Sequence, residues 1–176
     1  MKIITTFFFL TISFLTFGQL DNNLENKNEI IIIETKESLV EQLKQFENQV
    51  IYLDIWSVNC GPCIKQFEYK ESLNKFLDSK GIVSLYLCVN PEYAIETWKN
   101  LITEHNLKGY HIFVPSRIIR DYKIGLNIEG EENYIRLGHN FPFFIIISKG
   151  GEKVKKLEYL PSEKEKLIEE ISNFLN

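Results

Sequence analysis

Short apolar runs alternate with amphipathic segments along most of this chain, and the alternation predicts its elements. EIIIIE, Glu29 to Glu34, reads as a strand. Thr35 stands where an N-cap would, and Leu39, Val40, Leu43 and Phe46 recur at helical spacing, which predicts a helix over about residues 36–47. QVIYLDIW, up to Trp56, is an unbroken β-favouring run and reads as a buried strand. From Pro62 the apolar positions Ile64, Phe67, Leu73, Phe76 and Leu77 mark one long helix ending near Lys80 and Gly81. GIVSLYLCVN is the next buried strand. PEYAIETWKNLITEHNL is the helix after it, opened by Pro91, with Tyr93, Trp98 and Leu101 on the face expected to pack on the sheet. YHIFV reads as a short strand and SRIIRDY as a short helix. Residues 123–140, KIGLNIEGEENYIRLGHN, hold three glycines and no period, which makes them a loop or insertion. FPFFIIIS and EKVKKLEYL form a hairpin about KGG. Ser162 with Glu165 reads as a capping box for a last helix with Leu167, Ile168, Ile171, Phe174 and Leu175 inward.

Four βα units, a hairpin and a closing helix predict one α/β domain over residues 29–176, with a mainly parallel sheet and an antiparallel edge. The length of 176 residues suits one domain, and 44% hydrophobic with 25% charged residues is ordinary for a folded chain. A net charge of -4, without a basic cluster among exposed aromatics, argues against nucleic acid as a partner.

The first eighteen residues place one Lys before an apolar stretch, Ile3 to Phe17, and end in small residues, the layout of a signal peptide cleaved before Gln19. The alternative is an uncleaved membrane anchor, for which that stretch is shorter than the roughly 20 residues a spanning helix needs; with no other apolar run of that length, no stable membrane insertion is expected after cleavage. Residues 19–28 read as a flexible leader. The protein is then expected outside the cytosol, where disulfides persist.

Three cysteines follow: Cys60, Cys63 and Cys88. In WSVNCGPC the first two stand three apart, close enough to pair or to share a metal, so spacing alone leaves a redox pair, a metal half-site and a structural staple all open. A zinc site needs two more ligands, and His105, His111 and His139 show no paired spacing, so neither metal nor other cofactor is expected. Cys88 lies inside a buried run and reads as a small core residue. His105 and His111 read as structural, whereas His139, near Pro142, could overhang the cysteine pair. Since the motif opens a helix, Cys60 is placed where backbone N–H groups and the helix dipole favour a thiolate, so its pKa is expected to be depressed. Gly61 permits close backbone approach, and Pro62 suits a first turn. Cys63, one turn further in, is the more buried partner that would resolve a mixed disulfide.

W-x-x-x-C-G-P-C after a buried strand resembles the active site of the thioredoxin superfamily. The signal segment, the βα unit before the motif strand and the insertion before FPFFIII make the chain most similar to the exported TlpA/ResA-like thiol-disulfide oxidoreductases, over roughly Glu29 to Asn176. The resemblance implies a thioredoxin-like fold with an N-terminal βα extension, and a catalytic Cys60–Cys63 disulfide. It also implies that Asp54 is a buried acid moving protons to and from Cys63. The same carboxylate would otherwise be a cap or ion-pair residue at a strand end. Pro142 matches the family's cis-proline, with Phe141, Trp56, Gly61 and Pro62 completing the substrate surface; an ordinary trans strand-starter is the alternative. The chain departs from the pattern at Asn59, where Trp is usual, at IKQFEYK, which lacks the proline that commonly kinks this helix, and at the bulky Phe141. Partners implied are protein disulfides as substrates and a membrane thiol reductase as electron donor. Two other readings stay open: an assembly module with a structural disulfide, and a peroxidase, for which the Thr-rich loop with a lone cysteine is missing.

Overall fold

The computed structural model describes residues 29–36, 38–117, 126 and 141–176. Its elements follow the apolar runs but are mostly shorter than them. Strand β1 is Ile30–Ile32, helix α1 Leu39–Leu43 and strand β2 Ile51–Trp56. Helices α2, Gly61–Phe67, and α3, Lys70–Ser79, lead to β3, Val83–Asn90. Helix α4, Ile95–Glu104, precedes β4, Gly109–Pro115, and the chain closes with β5, Phe143–Ile147, β6, Val154–Lys156, and α5, Lys164–Leu175. The predicted helix over SRIIRDY, the insertion at residues 123–140 with His139, the signal segment and the leader lie outside the described residues, Leu126 excepted.

The six strands form one mixed sheet in the order β1-β4-β3-β2-β5-β6. β1, β4, β3 and β2 run parallel, and β5 and β6 are antiparallel to their neighbours. This is the thioredoxin-like arrangement, with β2 at the centre. Because side chains alternate along a strand, Leu53 and Ile55 enter one core with Leu85, Leu87, Ile112 and the α1 residues Leu39 and Leu43. Tyr52, Asp54 and Trp56 point to the opposite face, which α2, α3, α4 and α5 cover.

Several local expectations are corrected. Ser38, not Thr35, caps α1, accepting from the Glu41 N–H at 3.2 Å. Thr35 instead donates its hydroxyl to the Phe113 carbonyl of β4, because it lies in the connector running beside that strand. The long helix from Pro62 is broken at Glu68 and Tyr69. Tyr93, expected on the packed face of the next helix, is 84% exposed, since Glu92–Ala94 form a separate 3-10 turn that points it outward. The capping box of Ser162 and Glu165 does not form: Pro161–Glu163 make a 3-10 turn, the Glu163 carboxylate accepts from the Leu160 N–H at 3.4 Å, and the Ser162 N–H donates to Gln66 Oε1 at 3.0 Å. In α5, Leu167 and Ile171 are buried as expected, while Leu175 is 38% exposed.

Candidate active site

The carboxyl ends of β2, β3 and β4 and the start of antiparallel β5 meet at one edge of the sheet, and the cysteine motif is placed there by the end of β2. Ser57, Val58 and Asn59 form the turn into α2, closed by the Cys60 N–H bonding to the Ser57 carbonyl at 2.9 Å. Cys60 is the N-cap of α2, with Pro62 in the first turn, where a missing N–H costs nothing. Cys60 and Cys63 form a disulfide with Cα atoms 5.2 Å apart. The Cys63 N–H points at Cys60 Sγ, 3.1 Å away, so a backbone donor is aimed at the outer sulfur.

The two sulfurs differ in access. Cys60 is partly exposed and flanked by exposed Asn59, Gly61 and Pro62, whereas Cys63 is 1% exposed. Cys60 is therefore open to another protein, whereas Cys63 is closed off from solvent. A Cβ at Gly61 would meet open space, so no close approach within the chain calls for glycine here. Phe141 and Pro142 are joined by a cis peptide bond and are half-buried, directly before the Ile55–Phe143 pair and therefore beside the end of β2. Trp56 is 0% exposed, packed edge-on against Phe67 at 4.9 Å. It belongs to the core beneath the motif, not to the surface a substrate would meet, because the even-numbered face of β2 is covered by α2 and α4.

Asp54 is 1% exposed, on the same sheet face as Trp56 and between Tyr86 of β3 and Phe144 of β5. Cys63, Phe67, Tyr86 and Trp56 pack together on that face, between the sheet and α2. Burial pushes the Asp54 carboxyl above the usual carboxylate range, and a lysine that sequence reasoning passed over works against that rise. Lys70 Nζ lies 2.7 Å from Asp54 Oδ2, with both side chains 2% exposed. Sequence alone offered a weak signal for it, since a lysine in a helix is ordinarily solvated.

Asn90 also went unread. It is 2% exposed, and its Oδ1 accepts the Val58 N–H at 2.7 Å and the Cys88 thiol at 3.3 Å, which ties the motif turn to β3. Cys88 itself is buried in that strand, and burial raises its thiol pKa, so it is an inert core group as expected. His111 is buried and stacked on Tyr86 at 4.7 Å, in keeping with a structural role. Among the described residues no group of three or more His, Cys, Asp or Glu side chains is arranged to hold a metal ion.

A model of the Redoxin family matches residues 32–175. The chain belongs to the Redoxin family. Family membership and the observed disulfide together make it a thiol-disulfide oxidoreductase of the thioredoxin superfamily. Among solved structures it is similar to the thioredoxin domain of a thiol-disulfide oxidoreductase from Bacteroides vulgatus, at 20% identity and a TM-score of 0.58, covering 76% of this chain and 84% of that one. A thiol:disulfide interchange protein from Bacteroides sp. follows at 22% identity and a TM-score of 0.55, covering 74% and 78%. A secreted Mycobacterium tuberculosis disulfide oxidoreductase homologous to E. coli DsbE shares the fold at 9% identity and a TM-score of 0.52, covering 72% and 85%. No curated protein matches the chain.

Proposed function

We propose that this oxidoreductase is exported and reduces disulfides in extracytoplasmic proteins through its CGPC motif, drawing electrons from a membrane thiol reductase. The observation that carries the reading is the asymmetry of the cysteine pair: a partly exposed Cys60 with a backbone N–H aimed at its sulfur, and a buried Cys63. The signal-peptide layout of the first eighteen residues supports export. So does one solved structure of the same fold, which is described as secreted. The Gly-Pro dipeptide between the cysteines favours the reducing direction, because it matches thioredoxins near about -270 mV more than strong oxidants near about -120 mV.

The reaction runs in two exchanges. The Cys60 thiolate attacks one sulfur of the substrate disulfide, forming a mixed disulfide and releasing the first substrate thiolate, which takes a proton from water. Cys63 then gives its proton to the Asp54 carboxylate and attacks Cys60 Sγ, closing the Cys60–Cys63 disulfide and releasing the second substrate thiolate. Two electrons pass from the dithiol to the substrate, and the donor's dithiol later restores them. Phe141 and Pro142, with Gly61 and Pro62, form the surface on which an extended substrate segment lies.

The direct test is a pair of variants. Cys60→Ser should abolish reduction of insulin disulfides, and Cys63→Ser should accumulate mixed disulfides with partner proteins, seen as bands that collapse on addition of dithiothreitol. A Cys60–Cys63 potential well below about -300 mV, with Cys60 inert to alkylation after reduction, would instead make the disulfide a structural staple and sink the catalytic reading.

A further inference from the structure

Tyr93 is a large side chain that the core does not use, being 84% exposed, yet the turn that carries it is fixed on both sides. The Ala94 N–H closes that turn on the Pro91 carbonyl at 2.9 Å, and the Ser116 N–H donates to the Asn90 carbonyl just before it at 2.8 Å. Arg117 Nε donates to Glu92 Oε1 at 2.7 Å, which joins the turn to the chain leaving β4. An ordered backbone thus presents an aromatic ring to solvent. A single exposed apolar residue is common and calls for no function. Tyr93 differs in its place on the sheet edge and in its neighbours.

β2 and β3 run parallel with Trp56 beside Cys88, so the turn after Asn90 leaves the sheet at the edge where the cysteine motif begins. Asn90 Oδ1 joins the two directly through the Val58 N–H at 2.7 Å. Ala94, next to Tyr93, is buried in the cluster that holds Val58 and Cys63, and Cys60, Ile64 and Phe141 sit half-buried against that same cluster. Ile95, on the other side of Ala94, is 39% exposed and continues the stripe of Trp98 and Ile102 to the first turn of α4. Phe141 and Pro142 stand on the β5 side of β2 and Tyr93 on the β3 side, so the two flank the exposed Cys60. A segment laid over Cys60 from the cis-proline side meets Tyr93 next.

Resting on the exchange reading above, we propose that Tyr93 determines specificity: its ring, with Ile95 beside it, takes an apolar or aromatic side chain that flanks the substrate half-cystine attacked by Cys60. The occupant is a segment of the substrate protein, because the apolar margin is continuous with the surface around the reacting sulfur. A tyrosine ring brings a large contact area with only two side-chain torsions to immobilise, and such rings carry much of the selective energy at interfaces. The charged groups next to the ring are already matched, Glu92 with Arg117 at 2.6 Å and Glu96 with Lys99 at 2.9 Å. A charged flank therefore gains little there, whereas an apolar one loses water-exposed area against the ring.

The test uses the reduced full chain and a pair of short cyclic disulfide peptides, identical except for Phe or Ser beside one half-cystine. The second-order rate of exchange is read by acid quench and alkylation of the thiols that remain. The native protein should attack the Phe peptide about tenfold faster than the Ser peptide, Tyr93→Phe should keep that ratio, and Tyr93→Ala should bring it close to unity. A substitution that merely disturbed the motif would slow both peptides alike and leave the ratio where it was. Equal rates in the native protein, or a ratio that survives in Tyr93→Ala, overturn the proposal and leave the exchange reading standing. Sedimentation of the same samples tests the other occupant, a second copy of this chain: a native dimer that Tyr93→Ala abolishes overturns the proposal too. A native protein that opens neither peptide removes the exchange reading, and the specificity proposal falls with it.

Discussion

Asn90 ends β3 with one carboxamide oxygen in two bonds, to the Val58 N–H at 2.7 Å and the Cys88 thiol at 3.3 Å. Val58 stands two residues before Cys60, so the position of Cys60 rests partly on a side chain from the neighbouring strand. Asn90→Ala would leave a buried N–H without its partner, which costs about 1–3 kcal/mol. The expected result is a drop of that size in urea-unfolding stability, accompanied by slower Cys60 alkylation in the reduced protein. An unaltered midpoint would show that the turn holds itself. The sequence carried a faint signal here, a polar residue closing the apolar run LYLCVN, but which N–H it meets depends on bringing together two residues 32 apart in the chain. Lys70 was less legible still, because its burial follows from where a helix breaks.

Strands and helices obey the same division. β2 and β3 match their apolar runs closely because both are buried on both faces, and Val83–Asn90 shows no exposed position at all. Periodicity could not locate the break between α2 and α3, since Phe67 and Leu73 satisfy one continuous apolar stripe as well as two helices packed at different angles. Element pairing also makes one glycine indispensable. Gly109 opens β4 at φ +129, where L side chains are strained, and an added Cβ would stand 2.5 Å from the Ser84 carbonyl oxygen of β3. Gly109→Ala should therefore destabilise the protein by more than about 2 kcal/mol, seen as an early cooperative transition in denaturant, with β3 and β4 forced apart at their start. A variant as stable as the native chain would show that the strand end relaxes freely.

At the scale of the whole molecule, stability should depend on pH through the buried His111. Its ring nitrogen Nε2 bonds the Leu107 carbonyl at 2.7 Å, Nδ1 has no hydrogen-bond partner among the described residues, and burial lowers its pKa from 6.5 to about 4. The unfolded chain binds this proton below about 6.5 and the folded chain only below about 4, so the contribution is complete above the unfolded value and is lost as pH falls between the two. The full shift corresponds to about 3 kcal/mol. Asp54 acts with the opposite sign: its raised pKa gives stability that is present below the unfolded carboxylate value and lost as pH rises through the folded one. Urea midpoints measured from pH 7 down to pH 4 should accordingly fall less steeply in His111→Phe than in the native protein. Parallel curves would remove His111 as the cause.

What the residues determine by themselves are local properties: the order of βα units, the hairpin about KGG, and a cysteine pair placed between a strand and a helix start. Each depends on apolar period, turn chemistry and short-range spacing, all of which act within a few residues and are written in order along the chain. The tertiary structure decided which polar groups are buried and with whom. Asp54 meets Lys70, Val58 meets Asn90, and Trp56 lies under the motif instead of beside a substrate, because packing brings distant segments together and excludes water from the space between them. A charge that would be solvated in any isolated segment must find its partner there, and no reading of a single segment contains that partner.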